Sequence, residues 1–179
     1  MLQSHDPSKD NSILKDGTPV ALRPIRPEDA PLLVALHARL SSESRYFRFF
    51  SARAELPIEE AQQLAQVDYR TQMAIVALPL NQDEPSIIGV ARYGVADLTK
   101  PAEADAAIVV EDRYQGRGLG TVLLARLLDY AREHGIHYFI ANVDSMNTMM
   151  LKLIQRANLP TEMNLRSGVW DIRVRITDI

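Results

Sequence analysis

The chain has no cysteine. That excludes disulfides, thiol nucleophiles and cysteine-based metal sites, and it suits a reducing compartment. It has no apolar run near the roughly 20 residues that a membrane-spanning helix needs. The opening Met1-Leu2-Gln3-Ser4-His5-Asp6-Pro7 lacks the charged-then-apolar pattern of a secretory signal. A cytoplasmic location is therefore expected, with no membrane partner. Positive charge is not in excess: 20 Lys and Arg against 23 Asp and Glu give a net charge of −3, which argues against a nucleic-acid partner. The four histidines, His5, His37, His134 and His137, have no ligand-like spacing. No metal site is expected, and His134 better suits the C-terminus of a helix.

The 179 residues are enough for one domain with a sizeable core. Residues 1–17 read as a loose polar tail and 18–179 as a single domain. Val20 to Arg26 alternates as a first strand, which Pro24 marks as an edge strand or a bulge. Pro27-Glu28-Asp29 opens a helix with the stripe Leu32, Leu33, Leu36 and Leu40. A second short helix follows Ser41 or Ser42, with Tyr46, Phe49 and Phe50 on a face spaced for core burial. Its interleaved arginines also resemble a single-strand nucleic-acid surface, a weaker reading given the net charge. A third helix runs from Pro57 to about Val67. Gln72 to Leu78 and Ser86 to Tyr93 read as a hairpin, and Ala104 to Val110 as the central strand.

After Val110 comes Glu111-Asp112-Arg113-Tyr114-Gln115-Gly116-Arg117-Gly118-Leu119-Gly120-Thr121. Glycines there free the backbone to close around a ligand. The loop opens a helix carrying Leu119, Leu123 and Leu127, so free N–H groups and the positive end of the helix dipole converge. That is a phosphate or pyrophosphate site, with Arg117 adding charge. It has neither the lysine of a P-loop nor the spacing of the dinucleotide fingerprint. Gly135 ends the helix, and Ile136 to Ala141 forms a strand parallel to the central one through a right-handed crossover. Asp144 or Ser145 starts a last helix with Met146, Met149, Met150, Leu153 and Ala157 on its apolar face, read as core. Asn158 and Pro160 end it. Glu162 to Leu165 and Val169 to Ile176 close the chain as a hairpin around Ser167-Gly168.

Gln115-x-x-Gly118-x-Gly120 resembles the pyrophosphate loop of the GNAT family, the acetyl-CoA-dependent N-acetyltransferases. The element order resembles that fold over about residues 18 to 176: an α/β arrangement, a mixed, mostly antiparallel sheet with helices on both faces. Leu22 to Ala30 and Leu40 to Phe50 are most similar to the acetyltransferase domain of bacterial Pat-like protein lysine acetyltransferases. The resemblance implies acetyl-CoA as donor, CoA as product and an amine acceptor, a protein lysine ahead of a small amine. Gln115, Gly116, Arg117, Gly118, Leu119, Gly120 and Thr121 would hold the pyrophosphate. The backbone of Val109 and Val110 would pair with pantetheine, and Asn147 would contact the cofactor arm, cap its own helix, or both.

In Pat-like enzymes the general base is a Glu ten residues before the loop Gln; this chain has Asp105 there, with Glu103 on the same strand face. The family's thiolate-protonating Tyr, seven residues after the Asn, is replaced by Ile154. That leaves unaided release, a water or Tyr114. A catalytically weak acyl-CoA-binding module is the alternative. An unpaired closing strand leaves a second copy of the chain as a candidate partner.

Overall fold

The computed structural model describes residues 10–51 and 53–177. Its strands are β1 (Asp10–Ile13), β2 (Pro19–Pro24), β3 (Gln72–Pro79), β4 (Gly89–Gly94), β5 (Glu103–Val110), β6 (Tyr138–Asp144), β7 (Thr161–Arg166) and β8 (Val169–Arg175). They form one sheet in the order β1-β2-β3-β4-β5-β6-β8-β7. Each adjacent pair is antiparallel except β5–β6, which is parallel. The helices are α1 (Ala30–Arg39), α2 (Ser42–Phe49), α3 (Ile58–Ala65), α4 (Leu119–Glu133) and α5 (Thr148–Ala157). Among the described residues no helix is long and apolar enough to cross a membrane.

Both faces of the sheet are covered. On one face α4 presses Leu119, Leu123 and Leu127, all nearly fully buried, against β3, β4 and β5. Burying each leucine contributes about 1.5–3 kcal/mol before entropy is counted. On the other face α1 and α3 pack Leu33, Leu36, Ala61 and Ala65 onto Val76 and Val90. This two-sided cover explains the unbroken buried run Met73 to Ala77 in β3, which does not alternate.

Several element boundaries depart from expectation for local reasons. Residues 10–13 of the expected tail form β1, paired with β2 from Asp10↔Leu22 to Ile13↔Pro19, and Leu14 behind them is buried. Asp10, Asn11 and Ser12 carry no strand signal because the gain lies in main-chain pairing. Residues 1–9 lie outside the described residues. With β1 in place β2 is no edge strand, yet Pro24 lies past the last β1 partner, where no N–H is demanded. β4 starts three residues later than expected. The Ile88 N–H bonds the Ala77 carbonyl although Ala77 is the register partner of Gly89, a bulge that delays the ladder.

β6 also starts late, at Tyr138. Ile136 is consumed by the cap of α4: its N–H bonds the Ala131 carbonyl, and the N–H of Gly135 (φ 75°) bonds the Arg132 carbonyl, a Schellman closure. His134 meets its expected role, its Nδ1 donating to the Tyr130 carbonyl at 2.8 Å. Asn158 (φ 51°) caps α5 in the left-handed region, and Ser167 and Gly168 make the expected tight turn.

α1 is locked to β2 by one buried acid. Asp29 receives Arg23 at 2.7 and 2.8 Å and the Arg26 N–H at 2.8 Å. Burial opposes its charge, but the Arg23 guanidinium and the Arg26 N–H outweigh that and hold the carboxyl below its ordinary 3.8. Asp29→Asn is expected to cost about 1.5–3 kcal/mol in urea unfolding at neutral pH. A depressed folded pKa stabilises above the unfolded value and is lost as pH falls through the folded one. The gap between the two proteins should therefore narrow as pH drops below 3.8.

Candidate active site

β5 and β6 pair only from Glu103↔Tyr138 to Asp105↔Ile140. Beyond Asp105 they part, β6 staying with β8 through Asp144↔Val169 and β5 with β4 through Gly89↔Val110. A cavity of about 300 Å³ fills the gap, at the lower end of ligand-pocket sizes. Ala106 to Val110 form one wall, Asn142 and Val143 another, and α5 the roof. The Glu111 N–H bonds the Ile88 carbonyl, and Val109 is the register partner of Val90. Antiparallel alternation then turns the main chain of Val109 towards β4 and that of Ile108 and Val110 towards the gap. Of the two residues expected to pair with pantetheine, Val110 presents its backbone and Val109 does not.

The glycine loop stands at the mouth. Gly116 (φ 73°) and Gly118 (φ 88°) are both left-handed, turning the chain into α4. Among the described residues no group accepts a hydrogen bond from the backbone N–H of Gly116, Arg117, Gly118, Leu119, Gly120 or Thr121. Six consecutive unpaired amides at a helix head form a strong anion site. The turn between β1 and β2 leans on the loop. The Lys15 N–H bonds the Arg117 carbonyl at 3.0 Å, and the Lys15 side chain lies 3.5 Å from where a Cβ on Gly118 would stand. Asp16 pairs with Arg117, whose guanidinium sits 5.3 Å from the Tyr114 ring centroid.

The side-chain network behind the loop was invisible in the sequence. Gln115 Nε2 donates to the Val110 carbonyl at 3.0 Å and to Ser44 Oγ at 3.1 Å. Asp112 takes the Ser41 N–H and the hydroxyls of Ser41 and Ser44. Burial resists the charge on Asp112, yet those serine bonds hold its carboxyl below the ordinary range. Glu111, only 3% exposed, pairs with Arg39 at 3.0 Å and with Arg113. Through these contacts α1 and α2 are bolted to the loop from residues some 70 positions away in the chain.

The two candidate bases separate. Glu103 is held by Arg173, whose Nη2 and Nε lie 2.8 and 3.1 Å from Oε1. Asp105 is exposed and makes no hydrogen bond or ion pair with a described residue. Neither lines the cavity, although Ala106 and Ala107 do. A carboxylate that does line it, Glu43 of α2, was not singled out by the sequence reading. Tyr114 is removed as a thiolate acid: it is 7% exposed, packed in the core under α4, and its hydroxyl accepts from Gln82 Nε2 at 3.0 Å.

The apolar face of α5, assigned to the core, instead meets the cavity, and the assigned face of α2 is only part-buried. Met146 and Met149 are 74% and 50% exposed, and with Met150, Leu153, Ile154 and Ala157 they line it. On α2, Tyr46 and Phe50 are each 42% exposed while Phe47 and Arg48 line the cavity. Neither helix buries a single residue fully. Asn147 caps α5, its Oδ1 accepting the Met150 N–H at 3.1 Å, and it lines the cavity with its two amide donors to spare.

Residues 20–159 match the family model of the acetyltransferase (GNAT) domain. The chain belongs to the GNAT acetyltransferase family. An acetyltransferase of Pseudomonas aeruginosa is 34% identical over 140 residues, 78% of this chain and 74% of that protein. The acetyltransferase Pat of Mycolicibacterium smegmatis is 32% identical over 136 residues, 75% of this chain, which spans only 39% of that relative. The solved GNAT domain of S. lividans PAT superposes with a TM-score of 0.83 at 28% identity, covering 93% of this chain and 96% of that one. The GNAT fold expected from the sequence is thus present.

Two glycines of the loop should respond oppositely to a methyl group. Gly118→Ala forces a side chain into a left-handed backbone and is expected to cost about 1–2 kcal/mol. Gly120 lies in the first turn of α4, and an added Cβ would meet Leu153 Cδ2 at an ordinary 3.5 Å. Gly120→Ala should be neutral or stabilise by up to about 1 kcal/mol. Urea unfolding of both variants decides.

Proposed function

We propose that the chain transfers the acetyl group of acetyl-CoA to a primary amine, with a protein lysine as acceptor and Asp105 as base. One juxtaposition carries the reading: six unbonded amides stand at the head of α4, and one of their residues, Gly120, lines the same cavity as the open edge of β5. A diphosphate on the amides would lead its pantetheine arm down that edge. There two amides of the arm match the N–H and C=O groups of Ile108 and Val110, as in strand addition. The apolar methionines of α5 would cover the arm's hydrocarbon. The Pat-like stretches Leu22 to Ala30 and Leu40 to Phe50 support a lysine of a protein as acceptor.

The chemistry needs few groups. A lysine amine with a pKa near 10.4 is almost fully protonated at neutral pH, so it must be deprotonated before it attacks. Asp105 is the strand carboxylate left unpaired, since Arg173 occupies Glu103. Its shorter side chain reaches the amine through a water. The nitrogen then bonds to the thioester carbon, main-chain N–H groups on the β5 edge stabilise the developing oxyanion, and the carbon–sulfur bond breaks. With Ile154 lining the cavity, no hydroxyl protonates the sulfur from that position, and the thiolate leaves without help from it.

Free thiol release in the presence of acetyl-CoA and lysine peptides tests the assignment. Asp105→Asn is expected to lower kcat by about 10²–10⁴, with Glu103→Gln within tenfold of the parent. Loss confined to Glu43→Gln would move the base to α2. Tight CoA binding with no turnover on any amine would replace the transferase with an acyl-CoA-binding module.

A further inference from the structure

A second cavity, of about 40 Å³, lies under α1, α2 and α3 on the opposite face of the sheet from α4. It shares two lining residues, Arg48 and Val109, with the large cavity, so the two meet near the C-terminal end of β5. The walls are mostly aliphatic, among them Leu36, Leu64 and Val90, but two guanidiniums also line it: Arg48 from α2 and Arg92 from β4.

Among the described residues neither arginine has an acid partner. Arg48 makes no hydrogen bond or ion pair with a described residue, and its guanidinium lies 4.8 Å from the ring centroid of Phe49. Arg92 spends one N–H on the Leu64 carbonyl at 3.2 Å. No carboxylate of the described residues stands within ion-pair distance of either. Burial, and after it the charge of Arg92, pulls Arg48 down to about 10, and burial lowers Arg92 as well. Two like charges drawn out of water beside each other are costly unless an anion joins them. Guanidiniums are the side chains suited to a planar, bidentate anion.

The register ties this pair to the reaction. Val90 pairs with Val109 and Arg92 with Ala107, so Arg92 shares a sheet face with Ala107 and Val109. Asp105, two residues earlier on β5, lies on the same face. The proposed base and the two guanidiniums thus flank one stretch of strand beside the cavity. A void of this size holds about three waters, the bulk of a carboxylate and little more.

Resting on the transferase reading above, we infer that the acceptor carries a carboxylate close to its amine and that Arg48 and Arg92 bind it, selecting acceptors and orienting the amine. The carboxylate comes either from the α-carboxyl of a free amino acid or from an acidic residue beside a peptide lysine; the recognising chemistry is the same.

Thiol release with paired acceptors tests it. One set compares free amino acids with the amide and the decarboxylated amine of the same skeleton. The other compares lysine peptides with acidic and with neutral neighbours. In at least one set the carboxylate-bearing member is expected to be used about tenfold better or more in kcat/KM, and the set showing it identifies the source. That preference should collapse in Arg48→Gln and in Arg92→Gln, and should partly return in Arg92→Lys, while CoA affinity stays at the parent value in the two Arg92 variants. Thermal unfolding identifies any variant that fails to fold, and the remaining one then carries the test. Turnover without carboxylate preference, or a preference that survives both substitutions, overturns the inference alone. A folded, CoA-binding protein that acetylates no amine overturns it together with the transferase reading.

Discussion

The site depends on two parallel strands letting go of each other. Had β5 and β6 stayed paired beyond Asp105↔Ile140, the main chain of Ile108 and Val110 would be spent on a neighbour and the cavity would be closed. Each strand can part because its other edge is fully engaged, β5 with β4 and β6 with β8. Opening this gap leaves main-chain groups of β5 unpaired, which a fold tolerates only where water or a ligand can reach them. The direction of the opening matters as much. β5 runs straight into the glycine loop, so the unpaired strand edge and the unpaired amides of α4 come from a single run of backbone.

Orientation of that run is fixed by buried and half-buried charges. Glu111 is gripped by Arg39 and Arg113, Asp112 by two serines of the α2 segment, Gln115 by Ser44 and the Val110 carbonyl, and Arg117 by Asp16. Surface ion pairs of this kind contribute little to stability. Glu111 differs, because stripping its partners would leave an uncompensated charge in the interior. These contacts hold the loop in one shape before a ligand arrives, so less ordering is left to binding. Lys15 adds a positive charge from the turn between β1 and β2.

What the sequence made legible was local. The strand–loop–helix from Val109 to Glu133, the Schellman closure at Gly135, the left-handed Asn158 and the turn at Ser167 and Gly168 depend on neighbours a few residues away, and all were readable. The periodicity of α2 and α5 was also readable, but periodicity shows only that a face is apolar. It does not show whether that face meets protein, a cavity or solvent: the face of α5 meets the cavity, and Tyr46 and Phe50 of α2 stay part-exposed. β1 escaped notice because an edge strand is stabilised by its partner's main chain rather than by its own side chains. The choice between Glu103 and Asp105 was not available from β5 alone: the two share a strand face, and the arginine that separates them comes from β8.

Charge pairing near the two cavities sorts the ionic groups into two kinds. Asp29, Glu103, Glu111, Asp112 and Arg117 each have a charged or hydrogen-bonding partner in the fold, and each positions an element. Among the described residues Asp105, Glu43, Arg48 and Arg92 have no ionic partner, and the six amides of the loop have no acceptor. Keeping guanidiniums half-buried without an acid opposes folding, a cost that a bound counter-charge would offset. On the proposed reading the amides take a diphosphate, the unpaired acid a proton-bearing amine and the arginine pair a carboxylate. A donor with a diphosphate and an acceptor with both amine and carboxylate together complement the groups that the fold leaves unpartnered.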